Sequence, residues 1–496
     1  MARMDRPTEV ARSVAIPASG IAGLLGSWRD NEGPGPLYLR LAESIQKSIR
    51  GGELEVGARL PAERDLAEKL GLSRSTVTAA YELLRQRDSV VRRQGAGTYV
   101  SQVGASRTAG LPVPSAQSAT LPEVVASAIE FTTAAPKGAE FVTDELIADA
   151  LEEFRQVREG HGYSALGLPA LRAAIAERLT ETGLPTAPAE ILVTTGAQQA
   201  LYLSAQLLLR PGDVAVVEDP TWLGAIDAYR AARAKIVGTV SDRWGPRTSD
   251  LSDAAARGRV HVLHVSPTVN NPTGVLMSEE RRREIVKVAE AQDTAIVEDN
   301  TLAELTFCPA PAPIGALTTG IPVLTVGSLS KIVWGGLRVG WVRAPEPLIT
   351  RLGHMKLTVD RGSSLLGQAI ALRLMRDLPV IRQQRLAAIS EHLDVLTSEL
   401  QTRLPSWSWD RPAGGLSLWV RLPQGNSTEF GQIARRHNVV VVPGAMSSPT
   451  GGMDAFIRLP FGGHPDSLRE GVRRLESAWG AYAAHLDERH LAHFVG

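Results

Sequence analysis

The sequence predicts an α/β protein in two parts: a small helical head closed by a β-hairpin, then a large body built on a mainly parallel sheet with a smaller α+β subdomain. Three observations carry this. Residues 36–100 hold three short helical patterns, a tight Gly turn and a Gly-tipped hairpin. Residues 101–122 are rich in Ser, Ala, Gln, Gly and Pro, a composition of flexible linkers that cannot bury a core. From about Ile129 onward, apolar strand-like runs alternate with helical patterns, the mark of a parallel α/β layer.

Residues 1–35 read as an irregular extension with one apolar patch, Ile21-Ala22-Gly23-Leu24-Leu25, leading to Trp28. Leu41, Ile45 and Ile49 then fall on one helical face, and Gly51-Gly52 close that helix. A second helix starts beside Pro61 and runs to Leu70. Gly71-Leu72 make the turn, and Ser73 caps a third helix from Arg74 to about Arg87. Residues 90–100 read as a two-stranded wing with a Gly tip. Together these form a winged helix-turn-helix, whose second helix enters the major groove of double-stranded DNA. Ser73, Arg74, Ser75 and Thr76 stand at that helix's N-terminus, where amides and short hydroxyls meet phosphate and Arg reaches base edges. The segment is mildly basic, with eleven Lys/Arg against eight Asp/Glu between Pro36 and Val100. A small helical protein-interaction head is the alternative that pattern alone leaves open.

In the body, strands are expected at 191–194, 214–218, 260–266, 295–298 and 323–327. A long helical stretch follows about Pro345, then shorter strands at 416–422, 439–442 and 456–459, which read as the smaller α+β subdomain. Whole-chain charge is uninformative, because Lys+Arg and Asp+Glu are both 53. Cys308 is the only cysteine, which excludes an internal disulfide framework and fits a reducing cytosol. The N-terminus lacks the apolar core of a signal peptide, and no run of about 18 apolar residues occurs. A cytoplasmic protein with no membrane partner and no metal site is expected.

The chemistry concentrates in Ser328-Leu329-Ser330-Lys331-Ile332-Val333-Trp334-Gly335-Gly336-Leu337-Arg338. A strand end presents Lys331 as a rigid amine, with Ser328, Ser330 and Arg338 as ligands for one phosphate. That set suits pyridoxal 5'-phosphate, with the lysine forming a Schiff base. Thr195-Gly196-Ala197-Gln198 opens a helix after a strand, so its amides can hold phosphate. Trp222 follows a strand end and can stack on a pyridine ring. Asn271 in Asn271-Pro272-Thr273-Gly274 can donate to a ring hydroxyl, and Asp299 at a strand end can pair with a pyridine nitrogen. Arg458 in a late strand can grip a carboxylate. Singly, each has a plain structural reading: a core tryptophan, an Asn-Pro turn, a solvent-facing acid, a surface arginine.

Their order is more specific. Residues 36–100, with Gly57-x-x-Leu60-Pro61-x-Glu63-Arg64-x-Leu66-Ala67, Ser73-Arg74-Ser75-Thr76-Val77 and Gly95-x-Gly97-Thr98-Tyr99-Val100, closely resemble the GntR family of bacterial regulators. The resemblance implies DNA contacts at Arg64, Arg74 and Thr76, with Gly95 and Gly97 in the wing. Residues 129 to about 480 resemble the fold-type-I aminotransferases. Carried over, Lys331 would hold the cofactor covalently, Asp299 would meet the ring nitrogen, Asn271 the ring oxygen and Trp222 the ring face. Ala197, Gln198, Ser328, Ser330 and Arg338 would hold the phosphate, and Arg458 would bind a substrate or effector carboxylate. Tyr163, in His161-Gly162-Tyr163-Ser164-x-x-Gly167, resembles the tyrosine that reaches the phosphate in the partner subunit's site. One departure is visible: relatives often carry Tyr shortly after the ring-nitrogen Asp, where this chain has Asn300, Thr301 and Leu302. A GntR head joined to such a body resembles the MocR subgroup. That implies a homodimer, paired head-to-tail, that binds operator DNA and senses pyridoxal phosphate or an amine or amino acid reacting with it. The competing expectation is a working aminotransferase with an autoregulatory head.

Overall fold

A computed structural model describes residues 17–25, 36–50, 54, 57–86, 89–93, 97–101, 128–256 and 258–494. They divide between two units. The first is built on α1 (Ala18–Leu25), α2 (Leu37–Arg50), α3 (Glu63–Leu70), α4 (Arg74–Gln86), β1 (Val90–Arg93) and β2 (Gly97–Val100). Leu41, Ile45, Leu66, Val77 and Leu84 are wholly buried in its core. Gly71 ends α3 in the left-handed region at φ 61°, donating its N–H to the carbonyls of Ala67 and Glu68, a conformation that favours glycine. Ser73 caps α4, its hydroxyl accepting from Thr76 N at 3.1 Å. β1 and β2 pair antiparallel, Val90 opposite Val100 and Arg93 opposite Gly97, which gives the expected wing. The expected irregular extension is corrected in part: its patch lies in α1, with Ile21 and Leu25 buried in the head core. Three glycines from Gly20 to Gly26 hid that helix, because packing rather than propensity holds it. Gly51-Gly52, Trp28 and the linker beyond Ser101 lie outside the described residues.

The second unit holds two sheets. Its elements run β3 (Ile129–Phe131), α5 (Asp144–Val157), α6 (Pro169–Glu181), β4 (Ile191–Thr194), α7 (Ala197–Leu208), β5 (Val214–Asp219), α8 (Leu223–Ala231), β6 (Lys235–Asp242), β7 (Gly245–Pro246), α9 (Thr248–Ala256), β8 (Val260–Val265), α10 (Glu279–Ala291), β9 (Ala295–Asp299), β10 (Val323–Ser328) and β11 (Gly340–Arg343). Then come α11 (Glu346–Val359), α12 (Leu365–Arg376), α13 (Leu378–Arg403), β12 (Ser408–Trp409), β13 (Ser417–Arg421), α14 (Ser427–Arg436), β14 (Val439–Pro443), β15 (Phe456–Pro460) and α15 (Pro465–Phe494), of which residues 429–438 and 481–494 group with the first unit. The large sheet has the order β4-β11-β10-β9-β8-β5-β6-β7. From β10 to β6 its strands are parallel, while β11 and β7 run antiparallel to their neighbours. β4, β9 and β10 are buried along their whole length, as strands covered on both faces must be.

The small sheet has the order β12-β13-β15-β14-β3, with the first strand of the body, β3, parallel to β14. The long helical stretch after Pro345 consists of three helices. Arg361 at φ 58° and Gly362 at φ 133° break it, and Ser364 caps α12 through Gly367 N at 3.2 Å. Ligands of open α/β sheets bind beyond the carboxyl ends of the strands, and the ends of β4, β5, β8, β9 and β10 and the loops after them carry the expected cofactor-site residues other than Tyr163.

Candidate functional site

A cavity of about 140 Å³ in the body gathers Ala197, Gln198, Trp222, Asn271, Asp299, Ser328, Ser330, Lys331 and Arg338, together with Thr301 and Leu302. Lys331 follows the end of β10 and points its amine at Ala134 O, 2.8 Å away. The amine also lies 5.7 Å from the Trp222 ring centroid. Burial, with the Arg458 charge nearby, pushes this lysine down to about 8. Arg338 bends into the left-handed region at φ 54° and donates to Thr195 O at 2.7 Å. Ser328 Oγ lies 3.0 Å from Ser330 Oγ and from Val339 O. Gly196 precedes α7 without a side-chain cap, so the amides of Ala197 and Gln198 head the helix toward the cavity. A Cβ on Gly340 would stand 2.8 Å from Ala197 N, so only glycine allows that close approach.

The opposite wall is as tightly arranged. Gln198 holds Trp222 in place: its Oε1 accepts from the indole at 3.3 Å and its Nε2 donates to Gly224 O at 2.7 Å. Asp299 is buried, and its Oδ1 accepts from Thr301 N at 3.0 Å and from the Thr301 hydroxyl at 2.6 Å. The short residue in place of a tyrosine thus orients the carboxylate. Arg458 is 5 % exposed; it donates to Thr132 O at 2.6 Å and to Asn271 Oδ1 at 3.4 Å, while its Nε has no partner. Burial lowers it to about 10. Tyr163 stands apart from this cavity: it is 59 % exposed, with the Arg361 guanidinium 5.6 Å from its ring centroid.

Beneath Asp299 lies a buried polar group of residues that the sequence did not mark. Glu218 accepts from Ser266 N at 2.7 Å and Asn270 Nδ2 at 2.9 Å, and burial raises it to about 7. His264 is wholly buried with both ring nitrogens unpartnered, and burial lowers it to about 4. Thr132 and Ala134 also escaped notice, because they act through backbone carbonyls, which no side-chain motif announces.

In the head, Arg64 and Arg74 are exposed, and Arg74 lies 3.8 Å from Glu63. Ser73 Oγ lies 2.8 Å from Ser75 Oγ and 2.7 Å from Thr76 Oγ1, so the three hydroxyls cluster at the start of α4. Gly97 sits at φ 112° with the Arg59 guanidinium against it; Gly95 lies outside the described residues.

Residues 127–475 match the family of class I and II aminotransferases, and residues 37–100 match the gntR family of bacterial regulatory proteins. The chain is 30% identical over 420 residues to the HTH-type transcriptional regulator YdfD of Bacillus subtilis, spanning 78% of this chain and 84% of that one. It is 28% identical to a probable rhizopine catabolism regulatory protein, MocR, of Rhizobium meliloti, over 91% of this chain and 95% of the relative. In structure it is similar to LysN, the alpha-aminoadipate aminotransferase of Thermus thermophilus, determined with N-(5'-phosphopyridoxyl)-L-leucine. That likeness has a TM-score of 0.68 and 28% identity, over 74% of this chain and 95% of LysN. Fold and comparisons define a DNA-binding regulator whose body has the fold of the fold-type-I aminotransferases. The chain belongs to the MocR subgroup of the GntR family.

Its cofactor is pyridoxal 5'-phosphate. The cavity fits that group: uncapped helix amides and Arg338 suit a phosphate, Trp222 a flat ring, and Lys331 an aldehyde. Among the described residues no helix is long and apolar enough to cross a membrane.

Proposed function

We propose that this protein is a cytoplasmic transcription regulator that senses pyridoxal phosphate, or an amine or amino acid reacting with it, as a homodimer on operator DNA. One observation carries the reading. A lysine of lowered basicity and a buried arginine with an unpartnered nitrogen are both held by carbonyls of one segment, Ala134 O and Thr132 O, in a chain that also has a winged head. When bound, the cofactor supplies an electron-withdrawing aldehyde that a lysine can hold and an incoming amine can take over. Lys331 provides the attachment, Asp299 faces the ring nitrogen, and Asn271 and Trp222 orient the ring. Ala197, Gln198, Ser328, Ser330 and Arg338 hold the phosphate, with Tyr163 serving the partner subunit's site. Arg458 selects ligands with a carboxylate. Arg64, Ser73, Arg74, Ser75, Thr76, Gly95 and Gly97 form the DNA surface.

The deciding experiment measures operator affinity and footprint with apo protein, with cofactor, and with cofactor plus candidate amines. A difference among the three states supports the sensor. Identical affinity, footprint and promoter output, alongside sustained transamination with amino acids and an oxoacid, would leave an aminotransferase instead.

A further inference from the structure

Arg385, on α13, is 7 % exposed and belongs to none of the motifs that define the site. Its Nε donates to Ile332 O at 2.9 Å and its Nη2 to Val333 O at 3.2 Å. These are the two carbonyls that directly follow Lys331. Its Nη1 pairs with Glu140 Oε1 at 2.7 Å, and the Phe141 ring centroid lies 4.9 Å from the guanidinium carbon. Glu140 and Phe141 stand a few residues beyond Ala134, whose carbonyl receives the Lys331 amine. One planar fork therefore joins the turn that carries the lysine to the segment that caps it. A lysine at this place could not make the same contacts, because its ammonium lacks that fixed geometry.

We propose that Arg385 is a positioning residue for Lys331, fixing the turn that carries the amine and the segment that caps it as one unit. The inference rests on the proposed role of Lys331 as the point of cofactor attachment. Two physical points favour it over simple packing. A buried guanidinium is costly to desolvate, and an apolar side chain could fill the space. The turn also needs the restraint: Gly335-Gly336 follow it at once, and such residues give little resistance to sliding. Misplacing a reacting amine by about 1 Å is enough to lose roughly two orders of magnitude in reactivity.

The test uses full-length Arg385→Lys, Arg385→Met and Glu140→Gln. The Glu140 side chain is 57% exposed, so this last change leaves the fold intact even if Arg385→Met fails to fold. Two quantities are compared with wild type: the fraction of bound pyridoxal phosphate that borohydride fixes to Lys331, and the affinity for pyridoxamine 5'-phosphate, which has the same ring and phosphate but no aldehyde. A third readout needs no cofactor: the pH midpoint of Lys331 labelling by an amine-reactive reagent. The expected result is a roughly tenfold lower fixed fraction in the Arg385 variants, a smaller loss in Glu140→Gln, a shifted labelling midpoint, and nearly unchanged pyridoxamine phosphate affinity. Unchanged fixation and labelling in all folded variants would overturn the inference. So would parallel loss of both cofactor forms, which marks general disruption. A wild type in which borohydride fixes nothing to Lys331 would overturn the attachment reading itself, and this inference with it.

Discussion

At the scale of single residues, burial sets what each group around the cavity can do. Lys331 is brought from an ordinary 10.5 to about 8, which raises its neutral fraction at pH 7 by roughly two orders of magnitude. Labelling of the apo protein with an amine-reactive reagent should therefore reach half its maximum near pH 8 at Lys331, far below exposed lysines. A midpoint above pH 10 would contradict the enclosure described. Lys331→Ala should still bind the cofactor noncovalently through its phosphate while borohydride fixes nothing. Glu218 moves the other way, from 4.5 to about 7. Its folded pKa is raised, so its contribution to stability is fully present below about pH 4.5 and is lost as pH rises through about 7. Glu218→Gln keeps a carbonyl to accept from Ser266 and Asn270 and cannot ionise. Relative to wild type, that variant should gain stability between pH 5 and 8, by about 1–3 kcal/mol. Denaturant midpoints across that range check it; a constant difference at every pH would mean that Glu218 does not titrate there.

At the scale of elements, the loops that bear the site are held by groups remote in sequence. Arg282 on α10 is wholly buried and donates to the carbonyls of Met277, Pro267, Pro311 and Ala312 and to Thr268 Oγ1. The loop it staples carries Asn271. Arg282→Met would strand several buried acceptors at about 1–3 kcal/mol each, so a clear drop in thermal midpoint and weaker cofactor binding are expected together. A midpoint within about a degree of wild type would count against the staple.

The same distinction explains what the sequence revealed. The strand-end loops were legible, since an apolar run followed by Gly, Asn-Pro or Ser-x-Ser-Lys is local information. β6 was not: Lys235, Gly238 and Ser241 interrupt its run, and Val237 and Val240 face solvent. β11 was hidden by its brevity, directly after a Gly-rich turn. Thr132, Ala134, Glu140 and Arg385 meet the site across some 50 to 330 residues of chain, and no local pattern encodes such meetings. Their joint consequence can be measured. On the sensor reading, an incoming carboxylate would compete with Thr132 O for Arg458, and a cofactor held by Lys331 would draw its amine from Ala134 O. Amide exchange across 132–141 should change when cofactor plus a reactive amino acid is added, and less with an amine lacking a carboxylate. Equal exchange in every state would remove this segment from the sensing pathway.

At the scale of the whole molecule, the question is whether the cavity and the head are energetically linked. The head's share can be isolated first. Arg74 is 73% exposed at the start of α4, beside three clustered hydroxyls. Arg74→Ala should weaken operator binding by about 1–3 kcal/mol if it reads a base edge. Cofactor absorption should stay intact, and affinity should fall with salt as phosphate contacts are lost. The linkage follows from thermodynamics alone. If cofactor or amine changes operator affinity, operator DNA must change cofactor affinity by the same factor, typically about 5–150-fold. If residues 101–122, rich in Ser, Ala, Gln, Gly and Pro, act as a linker, they would set the reach of the heads rather than make specific contacts. β3 is the first strand after them, and the segment leaving β3 carries Thr132 and Ala134. Any ligand-dependent change at that segment would therefore arise close in sequence to residues 101–122. Moderate shortening of 101–122 should disturb operator binding and leave the cofactor spectrum unchanged. Reciprocal titrations, cofactor with and without operator and operator with and without cofactor, must agree in size. Measurable coupling in one direction and none in the other would show that the two sites are not linked through binding equilibria.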